Sequence, residues 1–350
     1  MKISKFEKYL TLNVLICMVI GVLLGTYFNQ LPTFLRKFEI SSVNIPIGIL
    51  IWVMIYPMML KIDFTSIRNV GKNPKGLYLT WIINWLIKPF TMFLIASLFF
   101  FVIFKALIPN TLANDYLAGA VLLGAAPCTA MVFVWSGLSK GNPAYTLIQV
   151  ATNDLIILIL FAPIVGLLLG VSGIVVPWST LFLSVFLFIV VPLVAAALTR
   201  YTIIKKKGLD YYQNIFINKF SKWTILGLLL TLILIFSLQS ELILNYPAHI
   251  LLIAIPLILQ TFLIFFIAYF AAKKMKLQHD IATPAAMIGA SNFFELAVAV
   301  AIALFPLNPG VALATIVGVL VEVPIMLMLV RIAKQTHHWF PEEDLLKVEK

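Results

Sequence analysis

The sequence predicts an all-α integral membrane fold of ten transmembrane helices, arranged as two inverted five-helix repeats. Three observations carry this. The 350 residues are 62% hydrophobic and only 11% charged, whereas a soluble domain carries about 25% charged residues. The apolar segments count to ten, and they are continuous rather than alternating, which points to helices and away from a barrel. Cut after the fifth, the chain gives two halves with five spans each. Five is odd, so the second half must cross the bilayer upside down relative to the first.

A helical span needs about 20 mainly apolar residues. The first, 9–28, follows Lys2, Lys5 and Lys8. No small-residue cleavage site closes it, so it reads as a retained helix and not a signal peptide. The second, 44–60, is short. The third, 77–104, is long enough to tilt and carries Lys88 just before Pro89. The fourth, 117–136, holds Pro127 and Cys128, and the fifth, 145–170, holds Asn153 and Asp154. The halves divide at 171–176, giving 1–170 and 171–333, with 334–350 as a cytoplasmic tail. The sixth span is 177–199, and 200–222 reads as the longest loop. The seventh, eighth, ninth and tenth spans are 223–241, 249–272, 281–304 and 310–333, the last carrying Glu322.

Charge placement sets the orientation. The net charge is +11, which by itself suggests an acidic partner. With the N-terminus inside, however, 21 of the 25 Lys and Arg fall on the inner side. Arg36, Lys37 and Lys105 fall outside, and Lys88 lies within a span. This positive-inside pattern predicts a multi-pass protein of the cell membrane with both termini in the cytoplasm. It leaves no surplus for nucleic acid and makes anionic membrane lipid the natural partner of the inner loops. Two cysteines, Cys17 and Cys128, give no disulfide framework and no metal-binding pair. No cofactor motif and no nucleotide site is present, and neither HExxH, GxSxG nor a carboxylate dyad supports an enzyme. His337 and His338 read as solvated tail residues.

The halves show weak self-similarity. Gly124–Ala125 opens a small, polar patch in span four, and Gly289–Ala290 opens another in span nine. Each is followed by an Asn-Pro turn, Asn142–Pro143 and Asn308–Pro309. Pro127 has no N–H to donate and clashes with the carbonyl four residues back, so span four should break. Ser291 and Asn292 can bond to nearby backbone and loosen span nine without a proline. Interrupted helices at matching places in two halves mark a transport site.

Glu295 is placed at that site. A carboxylate at membrane depth is expensive and therefore a functional candidate, here as substrate ligand and proton carrier. Cys17, in a uniformly apolar run, reads as packing. Cys128 differs, because it follows the helix-breaking proline. A soft sulfur ligand there suits a thiophilic solute. Thr129 and Asn292 flank these two groups. Ser291, Asn153, Asp154, Glu322 and Lys88 are further candidates to line the pathway, and Lys88 could pair with one of the acids.

The stretch "GAAPCTAMVFVWSGLSKGNPAYTLIQVATNDLIILILFAPIVGLLLG" resembles spans four and five of the arsenical-resistance-three permeases. "ASNFFELAVAVAIALFPLNPGVALATIVGVLVEVPIMLMLV" is similar to their spans nine and ten. "NWLIKPFTMF" and "FEKYLTLNVLICMVIGVLLG" fit as well, so the resemblance covers nearly the whole chain. These permeases belong to the bile acid/arsenite/riboflavin transporter superfamily. The resemblance implies panel and core domains, with the broken helices four and nine crossing at midplane. It also implies that Cys128 and Glu295 match the family's essential cysteine and glutamate, with Cys128 as the sulfur donor to arsenic. The implied activity is arsenite efflux in exchange for protons, with antimonite accepted by some members. The alternative on the same fold is a sodium-coupled symporter of an organic anion.

Overall fold

The architecture comes from a computed structural model, which describes residues 10–28, 39–40, 43–60, 74–128, 131–174, 177–238 and 240–341. Thr129 lies outside the described residues, as does the tail beyond 341. The described chain is nearly all helix, apart from a two-stranded ribbon that pairs Glu39–Ile40 with Val43–Asn44.

In chain order, α1 is Leu10–Tyr27, α2 is Ile45–Met59 and α3 is Pro74–Ile103. Span four is split into α4, Asn110–Gly124, and α5, Val132–Leu138. Then come α6, Pro143–Val171, α7, Trp178–Phe216, α8, Ile217–Leu238, and the short α9, Ser240–Asn245. Next is α10, Pro247–Lys274. Span nine is split into α11, His279–Ala290, and α12, Phe294–Leu304. The last helix is α13, Pro309–Gln335. Among the described residues, five helices (α3, α6, α7, α10 and α13) are long and apolar enough to cross a membrane, and shorter apolar helices accompany them. The protein is therefore a multi-pass helical membrane protein.

One expectation is corrected. Residues 200–222 do not form a loop. The α7 helix runs on through Arg200 and the lysines, turns at Gly208, and leads directly into α8. No proline follows Pro192 in this stretch to stop the helix. The only relief is Gly208, whose φ of 83° is a backbone state that a residue without a Cβ adopts freely.

Prolines leave local signatures. Ile83–Ile87 winds as a π turn directly before Lys88 and Pro89. The wider turn gives room to the Pro89 ring, which would otherwise meet the carbonyl of Trp85. Phe186–Val190 does the same ahead of Pro192.

The helices pack in two groups. α1, α2, α7 and α8 lie against one another, as do α3, α4, α6, α10, α11 and α13. Within the second group, α4 and α13 come very close at Gly119. A Cβ there would meet the Val311 carbonyl oxygen and the Ala314 side chain. Such small-residue contacts are how helices associate in lipid, where no hydrophobic force separates protein from solvent.

Candidate functional site

Both breaks form where the sequence placed them. α4 stops at Gly124, and Ala126 makes only a short turn back to the Leu123 carbonyl, at 3.3 Å. In span nine, Ser291 caps α11 in extended geometry (φ −85°, ψ 153°). The two extended pieces then pair with each other. Pro127 and Asn292 form an antiparallel bridge, and the Phe293 N–H donates to the Ala126 carbonyl at 2.9 Å. This answers the main objection to unwound backbone at membrane depth, since each broken helix supplies partners for the other.

Charged side chains then meet the ends of the second break. The α11 helix ends in carbonyls that carry partial negative charge, and Lys88 Nζ donates to the Ser291 carbonyl at 2.6 Å. The α12 helix begins with N–H groups that have no preceding turn to bond to, and Glu295 lies in its first turn. A cation at a C-terminus and an anion at an N-terminus are both favourable placements. Lys88 is fully buried, so its hydrogen bond matters more than a surface contact would.

The thiol sits among these groups. Cys128 is 2% exposed. It follows directly on Pro127, which pairs with Asn292, the residue after Ser291. Ser291 Oγ donates to Glu322 Oε1. Glu322, from the middle of α13, is buried, as is Lys88. Two buried acceptors here have no hydrogen-bond partner among the described residues: Asn292 Oδ1 and Glu322 Oε2.

Of the sequence candidates, the structure brings together Cys128, Ser291, Asn292, Glu295, Glu322 and Lys88. Asn153 has a different occupation. Its side-chain oxygen accepts from Trp85 Nε1 at 2.9 Å and from Asn84 Nδ2 at 3.1 Å, tying α6 to α3. Asp154 is buried, and its oxygens have no hydrogen-bond partner among the described residues. Cys17 is buried on α1.

The sequence reading missed three features. Gln260 reaches the site, donating to the Lys88 carbonyl at 3.4 Å. Asp115 on α4 accepts from Asn308 Nδ2 at 2.8 Å. Asp280 on α11 accepts from Asn142, at its backbone carbonyl (2.8 Å) and at its carboxylate (3.4 Å). The signal for the last two was present: Asp115 and Asp280 stand 165 residues apart, and Asn142 and Asn308 stand 166 apart. These are the same offsets that relate the two breaks.

Comparison with known proteins adds the following. The family described as Sodium Bile acid symporter family matches residues 48–246. The arsenical-resistance protein Acr3 of Alkaliphilus metalliredigens is 62% identical over 340 residues, 97% of this chain and 95% of that protein. An uncharacterized transporter of Synechocystis is 49% identical, with 97% of this chain and 91% of its own length covered. The arsenical-resistance protein Acr3 of Corynebacterium glutamicum is 30% identical, covering 94% of this chain and 89% of its own.

Proposed function

The chain belongs to the arsenical-resistance permeases of the sodium bile acid symporter family, and from that premise and the crossing we propose that it exports arsenite from the cytoplasm in exchange for protons. It is a transporter and not an enzyme. One observation carries the substrate reading. A buried thiol, Cys128, sits at the helix break with two buried acceptor oxygens nearby, Asn292 Oδ1 and Glu322 Oε2, that lack partners among the described residues. Arsenite at neutral pH is a trihydroxide: a thiophilic centre carrying three O–H donors. Antimonite offers the same chemistry and fits the same reading.

In this reading the fold is ten spans in two inverted repeats, 1–170 and 171–333, with spans four and nine crossing near midplane. The termini face the cytoplasm, and the membrane is the plasma membrane. The offsets of 165 and 166 residues between matching features support the repeat, and the positive-inside count supports the orientation.

The membrane potential does not drive a neutral solute, so export needs a coupled ion. One proton moving inward gains about 2.3 kcal/mol per 100 mV. Cys128 forms an S–As bond as one As–O bond breaks, and the thiol proton leaves with that hydroxyl as water. Asn292 and ionised Glu295 accept hydrogen bonds from the remaining hydroxyls, with Thr129 as a further neighbour in sequence. On the outside Glu295 takes a proton, loses its acceptor role and releases the solute. The returning carrier brings that proton in. The difference in affinity between the two protonation states makes this exchange rather than leak.

Uptake of arsenite into inside-out vesicles, with a proton gradient and no sodium, tests the proposal. Gradient-dependent uptake supports it. Uptake that requires sodium, with an organic anion as substrate, favours the second reading, whose support is the family's own description.

A further inference from the structure

We infer that α7, where it leaves the membrane, carries a binding site for an anionic phospholipid, with Arg200 and Lys205 taking the phosphate. The site lies in the group formed by α1, α2, α7 and α8 and not at the crossing, so it stands whatever the protein exports. In the orientation proposed above it faces the inner leaflet.

The stretch VAAALTRYTIIKKKGLDY, 194–211, puts four basic residues within eight positions directly after an apolar helix. Such a cluster attracts anionic lipid. The fold then sorts the four. Lys207 Nζ lies 4.6 Å from the centroid of the Tyr211 ring and is occupied there. Arg200 and Lys205 share one helix face with Ala197, Tyr201 and Ile204, since these positions recur three and four residues apart. Together the five line a cavity of about 370 Å³. Ala197, Ile204 and the Tyr201 ring make its wall apolar, and the two cations give it positive charge. Among the described residues no carboxylate lines it. The nearest acid in sequence, Asp210, lies beyond the Gly208 turn and accepts from Asn214 at 2.7 Å.

Both cations sit against rings. Lys205 Nζ is 5.8 Å from the Tyr201 centroid, and the Arg200 guanidinium is 5.5 Å from that of Tyr212. A guanidinium has five N–H donors in its plane. It therefore covers a ring with its face and still offers its edge to a phosphate.

The apolar side of the same helix face selects a lipid over a soluble phosphate. Toward the membrane it continues through Val194 and Leu198, both exposed. In a membrane helix such side chains meet acyl chains. Tyr201 is exposed as well, at the boundary where ringed side chains favour the headgroup region. Phosphate, headgroup and chain thus find their counterparts in order along one face. The site also has a mechanical consequence. Tyr212, under Arg200, donates from its hydroxyl to the Leu60 carbonyl at 2.7 Å, and Tyr56 of α2 bonds to Thr199 at 2.8 Å. A phosphate held by Arg200 and Lys205 therefore braces the Gly208 turn against the end of α2.

The test is the melting temperature of the purified protein in a neutral detergent, titrated with phosphatidylglycerol. Phosphatidylglycerol is expected to raise it, and phosphatidylcholine to leave it unchanged. Lys205→Gln is expected to raise the phosphatidylglycerol needed for half of the rise about tenfold, the worth of one charge-assisted hydrogen bond. The double variant Arg200→Gln/Lys205→Gln is expected to abolish the rise. Arg200→Gln also removes the contact with Tyr212, so the readout is the lipid-dependent rise and not the starting value. Lys274→Gln/Lys334→Gln removes the same charge from exposed residues in the last turns of α10 and α13 and is expected to keep the rise. Four results overturn the site. They are no rise with phosphatidylglycerol, an equal rise with phosphatidylcholine, an equal rise with inorganic phosphate alone, and an equal loss in the Lys274/Lys334 pair. If the double variant does not fold, the Lys205→Gln titration decides alone.

Discussion

Lys88 of α3 donates to the Ser291 carbonyl at 2.6 Å, so a cation closes the end of one half-helix four residues before Glu295, a carboxylate in the first turn of the next. The broken span nine is thus charged in the sense that opposes both half-helix dipoles. Among its described residues, the first break carries no charged side chain of its own. It is made by Pro127 and carries a thiol instead.

Lys88 should therefore be structural as well as electrostatic. Lys88→Met removes a buried, charge-assisted bond and leaves the Ser291 carbonyl without it. A loss of about 1–3 kcal/mol is expected, read as a lower melting temperature of the detergent-solubilised protein. Unchanged melting would show that the α11 carbonyls find other partners.

The two cysteines should separate cleanly. Cys128→Ser replaces a soft donor with a hard one and is expected to abolish arsenite uptake into inside-out vesicles. Cys17→Ser, on α1, is expected to leave uptake within about twofold, because Cys17 acts there as a small apolar group. Equal losses from both would make the thiol at the break a packing residue.

Glu295→Gln keeps the side chain's shape and its acceptor oxygen but cannot exchange a proton. Because it imitates the protonated, releasing state, we expect arsenite protection of Cys128 against alkylation to weaken and gradient-driven uptake to vanish. Uptake that still follows an imposed proton gradient would move the coupling site to another carboxyl.

Gly119→Leu pushes α4 away from the α13 backbone at Val311. Overpacking of this kind costs about 1–3 kcal/mol, and it should appear as lower melting and reduced uptake together. Leu at Gly170, where an added Cβ meets nothing within 4 Å, is the control and should change neither.

Much of this was legible in the sequence because membrane helices obey one strong rule. Backbone groups in lipid must be satisfied internally, so apolar runs become spans and a proline with polar neighbours becomes a break. Pro127, Ser291 and Asn292 fell where that rule put them. The rule is silent outside the lipid, which is why 200–222 read as a loop: its lysines marked the end of the bilayer, not the end of the helix. The rule also does not choose partners among buried polar groups. Asn153 and Ser291 look alike in sequence, one beside Asp154 and one beside Asn292. Only the packing of α3 against both helices shows that Asn153 is consumed by Trp85 and Asn84, while Ser291 is held by Lys88 and donates to Glu322.

The two Asp–Asn pairs bear on how the carrier moves. Asp115, at the start of α4, is fastened to Asn308, just after α12, and Asp280, at the start of α11, is fastened to Asn142, just after α5. The two broken helices are cross-stitched at both ends, and the bridge between Pro127 and Asn292 lies between the stitches. A motion that separated these segments would have to break all three contacts, so alternating access on this fold has to carry them together.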